Sequence, residues 1–180
     1  MPIRRLSRVP VVVLTGVENA GKTTLALALA DAMGWDCLLE AARSDEVVRQ
    51  GHEDHAHLSA MLTRFDQALH TRVQTAQHGV ICDTGALVLD IWAQKLWGKP
   101  IEGTPAVMQK VDLHLLCHTL PVWEPDPLRT LPEFDDRLAL QSEYHRRLVQ
   151  SGQPFEALPA APTMERLDTA VAFIQHHFSV

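Results

Sequence analysis

Lys22 and Thr23 close the run Gly16-Val17-Glu18-Asn19-Ala20-Gly21-Lys22-Thr23, which fits G-x-x-x-x-G-K-[ST] without a mismatch. These residue types at this spacing suit polyphosphate chemistry. Gly16 and Gly21 let the backbone approach an anion with no Cβ in the way. The loop N–H groups and the positive end of the following helix then face a phosphate. Lys22 adds a point charge for the β- and γ-phosphates, and the Thr23 hydroxyl is a ligand for Mg²⁺. The plain alternative is a chance glycine-rich turn ahead of a helix.

A second chemical signal is Val80-Ile81-Cys82-Asp83-Thr84-Gly85, an apolar run that ends abruptly in a carboxylate. Beside a P-loop, an aspartate in this place is expected near Mg²⁺ and the reacting phosphate, orienting the metal or taking a proton from an attacking hydroxyl. Asp83 or Thr84 as a helix N-cap is the compatible structural reading. Glu40 and Arg43 follow another short apolar run and are candidate substrate contacts; an ordinary i, i+3 surface pair is the alternative. Trp123, Asp126 and Arg129 stand out in a stretch from Leu120 to Pro132 that carries four prolines. Arg129 and Arg137 are placed to swing over phosphates from a loop and a helix start, as arginine fingers do. Two surface arginines paired with Asp126, Asp135 and Asp136 would look the same in sequence.

These groups need elements to position them. Pro10 to Thr15 is a β-branched apolar run that predicts a fully buried strand before the loop. Thr24 to Met33 predicts a helix stopped by Gly34. Asp36 to Glu40 reads as a second strand. The stripe Leu58, Met61, Leu62, Phe65, Leu69, Val73 marks an amphipathic helix to about Gln77, with Gly79 near its C′ position. Ala86 to Trp97 reads as a helix, 102–105 as loop and Val111 to His118 as a strand. A helix from Phe134 to Val149, a strand over Phe155 to Pro159 and a last helix capped by Thr163 complete the chain. His52, His55 and His57, with Glu53 and Asp54, match no metal motif; a loop and helix start with Asp54 as N-cap is the simpler reading.

The chain has 180 residues, 46% of them apolar, and a net charge of −6. One domain over 1–180 is expected, with a core that needs no staples. The acidic balance speaks against a nucleic-acid surface. Cys37, Cys82 and Cys117 lie in apolar runs and fit buried thiols in a reducing cytoplasm. The arginines within Met1 to Arg8 precede an apolar run of only five residues, so no leader is expected. No run approaches membrane-spanning length.

The order of these motifs resembles the P-loop kinase domain of the NadR type, the ribosylnicotinamide kinases and the AAA-type ATPases grouped with them. The loop there reads G-x-E-S-x-G-K-[ST]-T, and Gly16 to Thr24 matches it, including Glu18. A Glu-x-x-Arg after the second strand is matched by Glu40-Ala41-Ala42-Arg43, and an Asp-Thr after the third by Asp83-Thr84. P-W-x-x-D-G-x-R is matched by Pro121 to Arg129, with one extra residue and Pro127 in place of glycine. The resemblance implies a P-loop NTPase α/β fold like nucleoside and nucleotide kinases, with a five-stranded parallel sheet and a lid at about 119–137. It implies ATP-dependent phosphorylation of a nucleoside 5′-hydroxyl, nicotinamide riboside first, within NAD biosynthesis. By carry-over Gly16, Glu18, Asn19, Ala20, Gly21, Lys22, Thr23 and Thr24 bind ATP, and Thr23 and Asp83 hold Mg²⁺. Glu40, Arg43, Asp83, Trp123 and Asp126 face the substrate, with Arg129 and Arg137 on the lid. The expected partner is a small nucleoside-like molecule, with no nucleic acid and no membrane. Leu39 and Ala41 stand where aromatics often flank Glu-x-x-Arg, leaving Trp92, Trp123 or Tyr144 to stack a cationic ring. The adenylyltransferase domain often fused in this family is missing, so a bifunctional enzyme is not expected. A regulatory P-loop ATPase acting with a protein partner is the alternative.

Overall fold

The computed structural model describes residues 8–126 and 128–179, so the arginine-rich start through Ser7 and Pro127 lie outside the described residues. Five strands form one parallel sheet in the order β2-β3-β1-β4-β5. They are β1 (Val11–Thr15), β2 (Asp36–Leu38), β3 (Val80–Asp83), β4 (Leu113–Cys117) and β5 (Phe155–Leu158). The helices are α1 (Lys22–Met33), α2 (Glu46–Arg49), α3 (His55–Thr75), α4 (Ala86–Trp97), α5 (Thr104–Met108), α6 (Phe134–Ser151) and α7 (Thr163–Phe178), with a 3₁₀ turn at Ala41–Ser44. This is the P-loop NTPase architecture that the motif order implied.

Strand β1 is central, pairing Val12 with Ile81 on one side and with Leu113 on the other. Helices cover both of its faces, which is why every residue of β1 is apolar or buried. Val12 and Leu14 join the larger core with Leu25, Leu29, Ile81 and Leu115, while Val11 and Val13 pack with Leu69 of α3 on the other face. Because all strands run the same way, their carboxyl ends share one edge of the sheet. The chain leaves β1 toward β2 and β3 on one side and β4 and β5 on the other, so the loop after β1 sits at the topological switch point, where such sheets bind ligands.

Several sequence boundaries move. Strand β2 stops at Leu38, so Leu39 and Glu40 lie past its end. Helix α3 begins at His55, capped by Asp54, and ends at Thr75. Gly79 is therefore not its C′ residue; a Cβ there would run into the Trp35 ring, so the glycine is needed for close packing. Residues 104–108, read as loop at their start, form α5. Buried Asp90 of α4 accepts the Ile101 N–H at 2.6 Å and the Thr104 hydroxyl, and pairs with Arg147 of α6. Helix α7 is capped by Pro162 with no side-chain bond, and Thr163 is its first residue rather than its cap. Helix α4 has Gly85 at its N-cap, so neither Asp83 nor Thr84 caps it.

Candidate functional site

The loop after β1 is shaped by its glycines. Gly16 has φ 133°, and a Cβ there would lie 2.6 Å from the Cys117 carbonyl oxygen of β4. Only glycine admits that approach. The helix α1 that follows starts at Lys22. Lys22 turns its ammonium back onto the loop, donating to the carbonyls of Gly16 at 3.0 Å and Val17 at 2.7 Å. The charge has no carboxylate partner among the described residues.

A cleft of about 910 Å³ opens over this loop. Gly16, Glu18, Asn19, Ala20, Gly21, Lys22, Thr23 and Thr24 line it, as do Glu40, Arg43, Asp126 and Arg129. Asp83 ends β3 at the carboxyl edge of the sheet, 2% exposed and behind the cleft wall rather than on it, and neither carboxylate oxygen has a hydrogen-bond partner among the described residues. Thr84 beside it adopts φ 74°, a costly backbone for a β-branched residue, and its hydroxyl is also unpartnered. A buried carboxylate without a partner is expensive, and it fits a hard cation or a donor hydroxyl. Burial raises the Glu40 carboxyl above the ordinary glutamate range; Lys22 pulls it down, Asp83 pushes it up and Arg43 pulls it down again.

The segment between β4 and α6 is latched onto the P-loop by the loop's own side chains. The Glu18 carboxylate accepts the Thr130 N–H at 2.6 Å and the Leu131 N–H. Asn19 donates to the Val122 carbonyl, and its oxygen accepts the Glu124 N–H at 3.3 Å and Arg129 Nη1 at 2.9 Å. Arg43 reaches Asp126 at 3.2 Å from across the cleft. The Asp126 carboxyl is held below the usual aspartate range, first by the Leu128 N–H, against some burial, and then by Arg43 and Arg129.

Arg137 and Trp123 lie elsewhere. Arg137 is 1% exposed and is not on the cleft wall. It donates to the Thr119 hydroxyl and to the carbonyls of Leu120, Leu131 and Pro132. Its guanidinium lies 5.0 Å from the Trp123 ring centroid and 5.6 Å from that of Phe134. A saturated, stacked arginine of this kind braces the segment between β4 and α6 from behind, rather than presenting free donors to the cleft. Trp123 is its platform and likewise lies off the cleft wall.

Of the stacking candidates and the unassigned polar residues, Trp92, Glu53 and Arg166 stand out on the wall. Trp92 of α4 is on the wall, with Lys95 4.8 Å above its ring, whereas Tyr144 is fully buried. Glu53, read within the histidine-rich stretch, lines the cleft and has a buried, unpartnered Oε2. The histidines around it are used locally. His55 contacts the Pro100 carbonyl and the Trp97 ring, and His57 contacts Asp45 at 3.0 Å. Arg166 of α7 is the third, and its only signal in sequence was an arginine near the start of the last helix.

The cysteines are in strands; Cys82 and Cys117 are buried as expected, whereas Cys37 is only half-buried. Burial raises the Cys82 and Cys117 thiols, which stay protonated and inert.

Residues 11–166 match the family model described as AAA domain. No curated protein sequence matches the chain. Among solved structures, NadR protein in complex with NR is similar at TM-score 0.73 and 24% identity, over 96% of this chain and 52% of that one. NadR in complex with NAD and AMP-PNP is similar at TM-score 0.71 and 24% identity, over 96% of this chain and 50% of that one. This chain thus spans about half the length of those NadR chains. Deoxyadenosine kinase from M. mycoides, with products dCMP and dCDP, is similar at TM-score 0.67 and 14% identity, over 92% of this chain and 99% of that one. The NadR-type resemblance drawn from the motif order agrees with these matches.

Proposed function

Because the chain belongs to the AAA domain family, and because its P-loop, its carboxylates and an arginine-bearing lid meet at one cleft, we propose that it is an ATP-dependent kinase that phosphorylates a nucleoside 5′-hydroxyl. The observation that carries this reading is Asp83. It is buried at the carboxyl end of β3, next to the loop after β1 in the sheet, with both oxygens without a partner among the described residues.

The donor set fits Mg·ATP. A threonine hydroxyl and one or two carboxylates, completed by phosphate oxygens and water, are the usual Mg²⁺ ligands. Thr23 and Asp83 would hold the ion, which when bound draws charge from the transferring phosphoryl group. Lys22 leaves the Gly16 and Val17 carbonyls to meet the phosphates. Arg129, fixed by Asn19, neutralises charge that develops during transfer. Asp83 orients the acceptor hydroxyl or takes its proton, and Glu40 and Arg43 hold the sugar. Arg137 and Trp123 act by keeping the lid in shape.

The acceptor we propose is nicotinamide riboside. NadR, with the same fold, has been seen with NR. The Trp92 ring already carries a cation, Lys95, on one face, and a pyridinium ring would take the same place. Glu40 and Glu53 add negative charge to the same cleft. Free buried cysteines suit a reducing cytoplasm as its setting.

Two variants test the assignment. Asp83→Asn should lower turnover by about 10²–10⁴ while ATP binding persists. Lys22→Ala should weaken both. Normal turnover in Asp83→Asn, or unchanged ATP affinity in Lys22→Ala, would overturn it.

A further inference from the structure

Arg166 is a buried cation without a countercharge. It is 1% exposed, and one of its nitrogens, Nη1, donates to the Ala20 carbonyl at 2.9 Å. Nε and Nη2 have no partner, and among the described residues no carboxylate forms an ion pair with it. Arg137 is equally buried, but its donors are spent on one hydroxyl and three carbonyls. Removing a guanidinium from water and leaving two of its nitrogens idle is costly. Cys117, whose sulfur lies within reach of the Arg166 guanidinium, stays a neutral thiol through burial and so is at most a weak acceptor that supplies no countercharge.

The location says what would compensate it. Arg166 lines the cleft together with Gly21 and Thr163. A Cβ on Gly21 would come within 3.1 Å of Nη1, so the guanidinium lies against the last turn of the P-loop. Thr163 opens the 16-residue helix α7, whose N-terminus has no side-chain cap and keeps its first N–H groups available. Lys22 is a second cation on the same loop without a carboxylate.

We propose that Arg166 is a phosphate-binding residue of the donor site. One nitrogen braces the P-loop through Ala20, and the unpartnered ones bind a phosphate of the nucleotide beside the Gly21 end of the loop. This rests on the reading of the P-loop as a nucleotide site.

The test compares Mg·ADP with adenosine by titration calorimetry on the full chain, for wild type and Arg166→Gln, which keeps a donor for Ala20. The expected result is at least a roughly tenfold loss of ADP affinity, the scale of one hydrogen bond to a charged group. Adenosine affinity should be unchanged. Equal ADP affinity in the two proteins would overturn the proposal, and so would a parallel loss of adenosine affinity, which would make Arg166 a contact to the base. If the variant does not fold, the Arg166 guanidinium resonance of the wild type decides. It should shift with ADP and not with adenosine, and a resonance indifferent to ADP would overturn the proposal. If wild type binds no ADP at all, the nucleotide reading fails first.

Discussion

The residues at this cleft differ most in whether their polar atoms are already satisfied. Asp83, Glu53 and Arg166 carry unpartnered buried atoms, and such groups in a native structure point to ligands. Arg137 is satisfied and points to architecture. The distinction was beyond the sequence, where Arg129, within the proline-rich stretch, and Arg137, just after it, looked alike: both have aspartates nearby. The phosphate-loop residues were legible because their spacing is itself the geometry. Arg166 was not, since a helical arginine carries no mark of the wall it faces, and Trp92 could be named only as one of three aromatics available to stack a ring. Glu40 gives a pH prediction at this scale. Burial and Asp83 outweigh Lys22 and Arg43 and hold its folded carboxyl above the ordinary glutamate range. The carboxylate is the form that accepts a sugar hydroxyl, so acceptor KM should fall as pH rises through a window just above that range. Glu40→Gln should flatten the profile, which steady-state kinetics across pH would read.

At the scale of elements, the segment between β4 and α6 is held by side chains of the loop after β1. Glu18 and Asn19 occupy the variable positions of the motif and spend their side chains on Thr130, Leu131, Val122, Glu124 and Arg129. Asn19→Ala should therefore speed amide exchange across 119–131 and lower kcat by roughly ten- to hundredfold through a misplaced Arg129. Nucleotide affinity should change far less. Unchanged exchange would show that the latch lies elsewhere. The existence of the long helices and the central strand was legible from apolar period, whereas their ends were set by tertiary contacts. Helix α3 stops at Thr75, where Ala76 turns extended, and Gly79 beyond it instead admits the Trp35 ring. Gly79→Ala should cost about 1–3 kcal/mol by overpacking, read as a lowered denaturation midpoint. Helix α5 escaped notice because its anchor, Asp90, is buried inside another helix.

Over the whole molecule, the parallel sheet gathers the ends of β1, β2, β3 and β4 at one edge, and the chemistry follows from that convergence. The same burial has a cost in acid. His114 on β4 is buried and titrates at about 4, well below the ordinary histidine value, because burial disfavours its charged form. The unfolded chain binds that proton near 6.5, so stability from this group is present above 6.5 and is lost as pH falls toward 4. The slope is at most about 1.4 kcal/mol per pH unit. Thermal melts of His114→Leu should show a shallower decline than wild type over that window; identical declines would assign the acid sensitivity to other groups. The central claim is phosphoryl transfer to a nucleoside, and ADP release from Mg·ATP across a panel of nucleosides tests it most directly, with Lys22→Ala as control. The account predicts acceleration by nicotinamide riboside that the control loses. ADP release that no nucleoside accelerates would contradict it.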